Sequence, residues 1–174
     1  MNPDADIRIA LPQGDTEQAW LNELWQSEWG GDTMVSHGHV YLLADLKSLV
    51  AKTHDELVGA ATFRFDVADG CELLSINAVS QGGGVGSKLL TAVEDEARKA
   101  LCRRVWLITT NDNLDALRFY QRRGYRITNV YQGAVDEARR IKPTIPFAGD
   151  HGIEIHDEIE LVKDLTGDGR HNEC

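Results

Sequence analysis

A chain of 174 residues can bury one good core and is short for two, and its 42% apolar and 26% charged residues match a globular domain. The formal net charge of −10 opposes a polyanion and so excludes nonspecific nucleic-acid binding as the expected role. No apolar run reaches membrane-spanning length, Met1-Asn2-Pro3-Asp4 lacks a secretory pattern, and Cys71, Cys102 and Cys174 are too scattered for a disulfide framework or a zinc site. The expectation is one domain over residues 1–165 with a polar, disordered tail over 166–174, cytoplasmic, with no metal, membrane or nucleic-acid partner.

Ile7, Ile9 and Leu11 alternate with polar residues and predict a first strand. Asp15 followed by Gln18 then gives an N-cap pattern for a helix that buries Trp20, Leu21, Leu24 and Trp25. Residues 30–45 carry no clear period and are expected as a loop that could serve as a lid. His37-Gly38-His39 within it has no nearby carboxylate or Cys and makes a weak ligand set. Leu49-Val50-Ala51 and residues 58–67 predict strands joined by a turn at Thr53-His54-Asp55-Glu56. A second turn at Ala68-Asp69-Gly70 leads into a strand over 72–79, completing an antiparallel meander.

The stretch 72–99 organises the chain. Its strand is followed by the turn Gln81-Gly82-Gly83-Gly84-Val85-Gly86 and by a helix carrying Leu89, Leu90, Val93, Ala97 and Leu101 on one side, the spacing of a helix lying on a sheet. Glycines remove Cβ atoms from the turn, so backbone N–H groups can approach an anion at the positive end of the helix. A Walker A loop needs Gly-Lys-Ser/Thr in succession, whereas Ser87 separates Gly86 from Lys88, and the spacing of a dinucleotide fingerprint is also absent. Val105-Trp106-Leu107-Ile108 reads as a strand buried on both faces, reached by a right-handed parallel crossover. Asn111-Asp112-Asn113 caps a helix with Leu114, Leu117, Phe119 and Tyr120, closed by Gly124. Residues 126–131 read as a strand, 134–142 as a short helix, 143–152 as a loop and 158–162 as the last strand.

Two patterns occur in order: Gln/Arg-x-x-Gly-x-Gly/Ala, met by Gln81, Gly84 and Gly86, and Asn113-x-x-Ala116-x-x-Phe119-Tyr120-x-x-x-Gly124-Tyr125. Through them the chain resembles, over residues 7–165, the GNAT superfamily of acyl-CoA-dependent N-acyltransferases. The resemblance implies an α/β fold with a central mixed sheet, an antiparallel N-terminal meander, splayed central strands and flanking helices. It implies transfer of an acetyl group from acetyl-CoA to a primary amine of a small molecule or peptide by direct attack, with the coenzyme as acyl donor and no metal.

The same resemblance places the pyrophosphate on Gln81, Gly82, Gly83, Gly84, Val85, Gly86 and Ser87, and the acyl-pantetheine arm in the splay beside Ile76, Ala78 and Val79. A backbone N–H near Val79, left without a partner, would polarise the thioester carbonyl. Tyr120 is the candidate general acid, with core packing as its alternative, and Asn113 holds the cofactor or simply caps its helix; Ala116 completes the motif. Glu72 is the candidate base or a solvated strand-end carboxylate, with Glu158 and His156 as weaker candidates. Gln81 stands where arginine is common, which removes one cation from the phosphate site. Among the basic pairs Arg103-Arg104, Arg122-Arg123 and Arg139-Arg140, the second follows the motif and is the more plausible phosphate anchor, against a solvated face. Acceptor choice is expected to lie in 16–45 and 143–157, where Trp25 and Trp29 could touch substrate or pack in the core. A noncatalytic acyl-CoA sensor on the same fold is the rival reading, and a homodimer is expected by analogy alone.

Overall fold

The computed structural model describes residues 6–66, 68, 70–80 and 82–167. Gln81, Asp69 of the second turn, Cys174 and most of the tail expected at 166–174 therefore lie outside the described residues. In chain order the elements are β1 (Arg8–Ala10), α1 (Gly14–Trp29), β2 (Thr33–Ser36), β3 (His39–Leu42), β4 (Lys47–Thr53), β5 (Glu56–Asp66), β6 (Gly70–Ala78), α2 (Val85–Lys99), β7 (Arg104–Thr110), α3 (Leu114–Gln121), β8 (Arg126–Tyr131), α4 (Ala134–Ile141) and β9 (Glu158–Asp164). A seven-stranded sheet runs β1-β4-β5-β6-β7-β9-β8, and β2 with β3 forms a separate hairpin. Every pairing in the large sheet is antiparallel except β6 with β7. This is the mixed α/β sheet that the resemblance implies, with its meander in β4-β5-β6.

Alternation along the strands sends apolar residues to two faces. On one, Leu49, Ala51, Ala61, Phe63, Leu73, Val105, Leu107 and Leu161 pack with Leu89, Leu90, Val93 and Ala97 of α2 and with Tyr120 and Tyr125. On the other, Val50 and Ala60 pack with Leu21 of α1, and Leu74 packs with Trp25, Met34 and Tyr41. Close approach is built into the first face: a Cβ on Gly59 of β5 would lie 2.6 Å from Val85 Cγ1 and 2.7 Å from the Asn77 carbonyl oxygen. Among the described residues no helix is long and apolar enough to cross a membrane.

Three expectations are corrected. Residues 30–45 contain the β2-β3 hairpin, whose two-residue turn, His37 and Gly38, holds φ of 48° and 74° and thus takes the left-handed conformation suited to tight hairpins. The α1 cap is Gln13 rather than Asp15, and Glu17, one residue beyond the capping-box position, reaches back to accept the Gln13 N–H at 2.8 Å. Leu101 lies past the end of α2, at φ 61° and 88% exposed, because the helix closes on Ala100.

Candidate functional site

The parallel pair at the sheet's centre is short. Cys71, Glu72 and Leu73 of β6 pair with Val105, Trp106 and Leu107 of β7, and there the ladder ends although both strands continue. At the same level β6 bulges: Thr62 pairs with Ser75 and Phe63 with Leu73, which leaves Leu74 as the extra residue. A bulge bends and twists its strand, here at the point where β6 leaves β7. Beyond it, β6 remains bonded to β5 and β7 to β9, so a fork opens between residues 74–78 and 108–110. This is the splay that the resemblance implies.

Pairing parity settles which backbone lines the fork. The Val79 N–H donates to the Val58 carbonyl at 2.9 Å, so it has a partner, contrary to expectation. Hydrogen-bonding alternates along an antiparallel strand, and residues between bonded pairs point the other way. The N–H and C=O groups of Ile76 and Ala78 are therefore the ones turned into the fork, and the sequence alone could not reveal that parity.

Where β6 ends, the glycine turn begins. Gly82 and Gly84 hold φ of 88° and 75°, left-handed values that favour glycine, and Cβ atoms added at Gly82 or Gly83 would meet nothing within 4 Å. Gly84 is the N-cap of α2 and, as a glycine, offers no side chain to cap it. The N–H groups of Val85, Gly86 and Ser87 precede the first intrahelical bond, Lys88 N–H to Gly84 O at 3.1 Å, and have no partner among the described residues at the positive pole of the helix. Phe119 of α3 lies against Gly86, its ring 3.4 Å from where a Cβ would stand, an ordinary contact distance.

That contact joins the two motifs. Arg123, just after α3, stacks its guanidinium 3.7 Å from the centre of the Phe119 ring, donates to the Phe119 carbonyl at 2.8 Å, and donates to Ser87 Oγ at 2.5 Å. Of the Arg122-Arg123 pair, Arg123 is thus fixed at the first turn of α2, and desolvation followed by repulsion from Arg122 holds it below the usual arginine range. Asn113 caps α3, its Oδ1 accepting the N–H of half-buried Ala116 at 3.0 Å, which satisfies the capping reading. Tyr120 is 8% exposed between Phe119 and Tyr125, and burial pushes its phenol well above the usual value. Its hydroxyl makes no hydrogen bond among the described residues.

The opposite face of the fork is polar. Glu72, 1% exposed, is no solvated strand-end group: Arg64 Nε donates to it at 2.6 Å and the Tyr41 hydroxyl lies 3.1 Å away. Burial, then the Glu72 charge, pushes Tyr41 up to about 12. Trp106, whose strand neighbours face α2, turns to the Glu72 side, with its buried Nε1 unpartnered among the described residues. Glu158 of β9, 3% exposed, accepts the His37 N–H of the hairpin turn at 3.1 Å, and burial pushes its carboxyl up. His156 sits at the surface 3.7 Å from Glu154. Trp25 belongs to the core, its Nε1 donating to the Asp32 carbonyl at 3.3 Å, while Trp29 is half-buried beside it. The structure thus places Tyr120 and the glycine turn on the α2 side, and Glu72 and Glu158 on the other at different levels of the sheet. The partners Arg64, Tyr41 and His37 escaped the sequence reading, and the His-Gly hairpin turn was the available signal for the last.

Comparison with known proteins agrees with this geometry. The model of the Acetyltransferase (GNAT) family matches residues 15–125. The uncharacterized protein YdhI of Bacillus subtilis (strain 168) is 37% identical over 158 residues, spanning 90% of this chain and 98% of the relative. A Bacillus subtilis acetyltransferase solved in complex with CoA superposes with a TM-score of 0.68 at 19% identity, covering 91% of this chain and 99% of the other. A GNAT family acetyltransferase from Elizabethkingia anophelis with acetyl-CoA bound gives 0.68 at 21% identity, covering 92% and 99%. With the fork, the glycine turn and both motifs in place, the chain belongs to the GNAT family of acetyltransferases.

Proposed function

We propose that this protein transfers the acetyl group of acetyl-CoA to a primary amine of a small molecule or peptide, by direct attack in a ternary complex. The observation that carries the reading is the fork between β6 and β7, ending beside an uncapped helix N-terminus. The open backbone of the glycine turn fits a diphosphate, and the N–H and C=O groups of Ile76 and Ala78 fit the amides of a pantetheine arm laid along β6 as an added strand. Bound acetyl-CoA supplies the activated thioester; the chain supplies the rest. Gln81, Gly82, Gly83, Gly84, Val85, Gly86 and Ser87 hold the phosphates, with Arg123 adding the cation that Gln81 does not. Ala78 and Val79 flank the arm, Ala78 through its N–H, and Asn113 and Ala116 hold α3 against the site.

Tyr120 carries its proton at neutral pH, as any phenol does, and burial only holds it more firmly; this is the state a general acid needs to protonate the departing thiolate. Residues 1–165 act as the catalytic unit, working in the cytoplasm, alone or as a homodimer. The test is a library of amines offered to the full chain with acetyl-CoA, following release of free CoA thiol. Thiol release that requires both amine and protein is the expected result. Acetyl-CoA binding without consumption by any amine overturns it and leaves the sensor reading.

A further inference from the structure

Four acids are buried among the described residues: Glu72, Glu94, Asp112 and Glu158. Three are satisfied. Glu72 holds Arg64 and Tyr41; Glu94 takes Lys163 Nζ at 3.0 Å and the Tyr125 hydroxyl at 3.1 Å; Asp112 takes the Thr110 hydroxyl at 2.5 Å and the Asp150 N–H at 3.0 Å. Among the described residues Glu158 has a single hydrogen-bond donor, the His37 N–H shared 3.1 Å from each oxygen. A carboxylate offers about four lone-pair positions, and leaving most of them unmet in a buried site is costly unless a partner arrives. Neighbouring side chains do not fill the gap. His37 Nδ1, at 3.9 Å, makes no hydrogen bond and is an ion-pair partner only when the imidazole is protonated; Tyr131 of β8 turns its hydroxyl to Glu160 at 2.7 Å, and Glu160 is itself held by Thr128 and Asn129.

Position separates the two candidate bases. Glu72 pairs with Trp106 inside the closed part of the β6-β7 ladder, below the fork. Glu158 pairs with Thr110, the last residue of β7, beyond the final β6-β7 pair at Leu73 and Leu107, so it stands at the open end. Four residues of strand, about 13 Å, lie between the two levels. We propose that Glu158 is the acceptor-amine site of this enzyme: it binds the ammonium of an aliphatic primary amine as the missing ion-pair partner and takes the proton that frees the nitrogen to attack. Glu72 is instead a positioning residue that ties β6 to β5 and to the hairpin. The inference rests on the transferase reading given above.

The step balances. The ammonium gives one proton to Glu158; its nitrogen then bonds to the thioester carbonyl carbon as the carbon–sulfur bond breaks. A second nitrogen proton is lost as the thiolate leaves and is protonated, so amide and thiol form, and Glu158 returns its proton to solvent. Groups facing Glu158 that could shift this titration are His37 from the hairpin, Tyr131 from β8 and Glu160 on its own strand.

The experiment compares wild type with Glu158→Gln, whose amide oxygen still accepts the His37 N–H, using a panel of aliphatic primary amines and the matching alcohols. Two readouts are taken: amine binding to CoA-loaded protein by calorimetry, and kcat/KM from pH 6 to 9.5. The variant is expected to bind amines at least about tenfold more weakly, with alcohols unaffected. Its kcat/KM should be about 10²-fold lower at pH 7 and recover as pH rises and free amine accumulates, a recovery that a merely structural role does not produce. Unchanged amine binding with an unchanged pH profile overturns the proposal, as does a pH-dependent loss in Glu72→Gln and not in Glu158→Gln. If wild type binds amines through Glu158 yet releases no thiol, the binding site stands and the transferase reading falls. If wild type binds no amine of the panel, both fall.

Discussion

On the α2 side of the sheet, Leu89, Val93 and Ala97 meet Ala51, Phe63, Leu73 and Leu107, and the buried carboxylate of that helix, Glu94, is fully met by Lys163 of β9 and the Tyr125 hydroxyl. On the α1 side, the clusters around Trp25 and Leu21 leave β7 and β9 to other chemistry, and the groups buried there include Glu72 with Arg64 and Glu158 with one backbone N–H. Apolar burial stabilises whatever lies against it, while buried charge stabilises only when its partner is right. The first side therefore sets the architecture, and under the proposed reaction the second is where acceptors would be told apart.

The contrast is broken most directly on the apolar side. Leu89 is 0% exposed at the centre of that core, so Leu89→Ala is expected to cost about 2–5 kcal/mol of stability, measured by denaturant unfolding. A loss under about 1 kcal/mol would mean that α2 is loosely seated. Tyr120 sits in the same core yet its hydroxyl bonds to no described residue, so Tyr120→Phe should leave stability within about 0.5 kcal/mol of wild type. Turnover should fall about 10²-fold while acetyl-CoA affinity persists, read by thiol release and calorimetry. Unaltered turnover would return Tyr120 to the core as a packing residue.

The same contrast explains what the sequence disclosed. The α2 side is contiguous: strand, glycine turn and helix follow within one stretch, and Asn113 to Tyr125 forms another, so apolar spacing gave the elements and the two contiguous motifs that carry the resemblance gave the site. The α1 side is assembled from afar, with His37 meeting Glu158 across 121 positions and Tyr41 meeting Glu72 across 31. The β2-β3 hairpin went unread because its strands are four residues each, too short for a period, and its turn is His-Gly rather than the stronger Asn-Gly signal. Leu101 fitted the helical spacing, but Ala100 ends the helix, and a residue past the last turn has no face to share. The fork's lining escaped for another reason: parity of pairing flips with a single bulge, and the bulge at Leu74 depends on β5 as much as on β6.

A smaller effect tests the join between the two motifs. Under the proposed reading Arg123, just after α3, supplies the cation missing beside the glycine turn, so Arg123→Leu should weaken acetyl-CoA binding about tenfold and reduce its dependence on salt, read by calorimetry at two ionic strengths. Equal affinity would confine Arg123 to pinning α3 against Ser87.

The smallest expected effect is the most pointed, because its sign differs from that of the other variants. Burial raises the folded-state pKa of Glu158 above its ordinary value of 4.5, so the folded protein holds that proton more tightly than the unfolded chain. The resulting stability is fully present below pH 4.5 and is lost as pH rises through the raised pKa of the folded state. Glu158→Gln lacks this titration. Its stability relative to wild type should therefore climb between pH 4.5 and neutrality, by about 1 kcal/mol, the scale of a poorly satisfied buried group. For a chain of this length that is about 2–4 °C in thermal midpoint, measurable by scanning both proteins at several pH values. Saturating CoA and amine should reverse the ranking, since the substrate ammonium supplies the partner that only the carboxylate can use. A difference independent of pH would mean that Glu158 already has its counter-charge within the fold, and the polar side of the sheet would then be as self-satisfied as the apolar one.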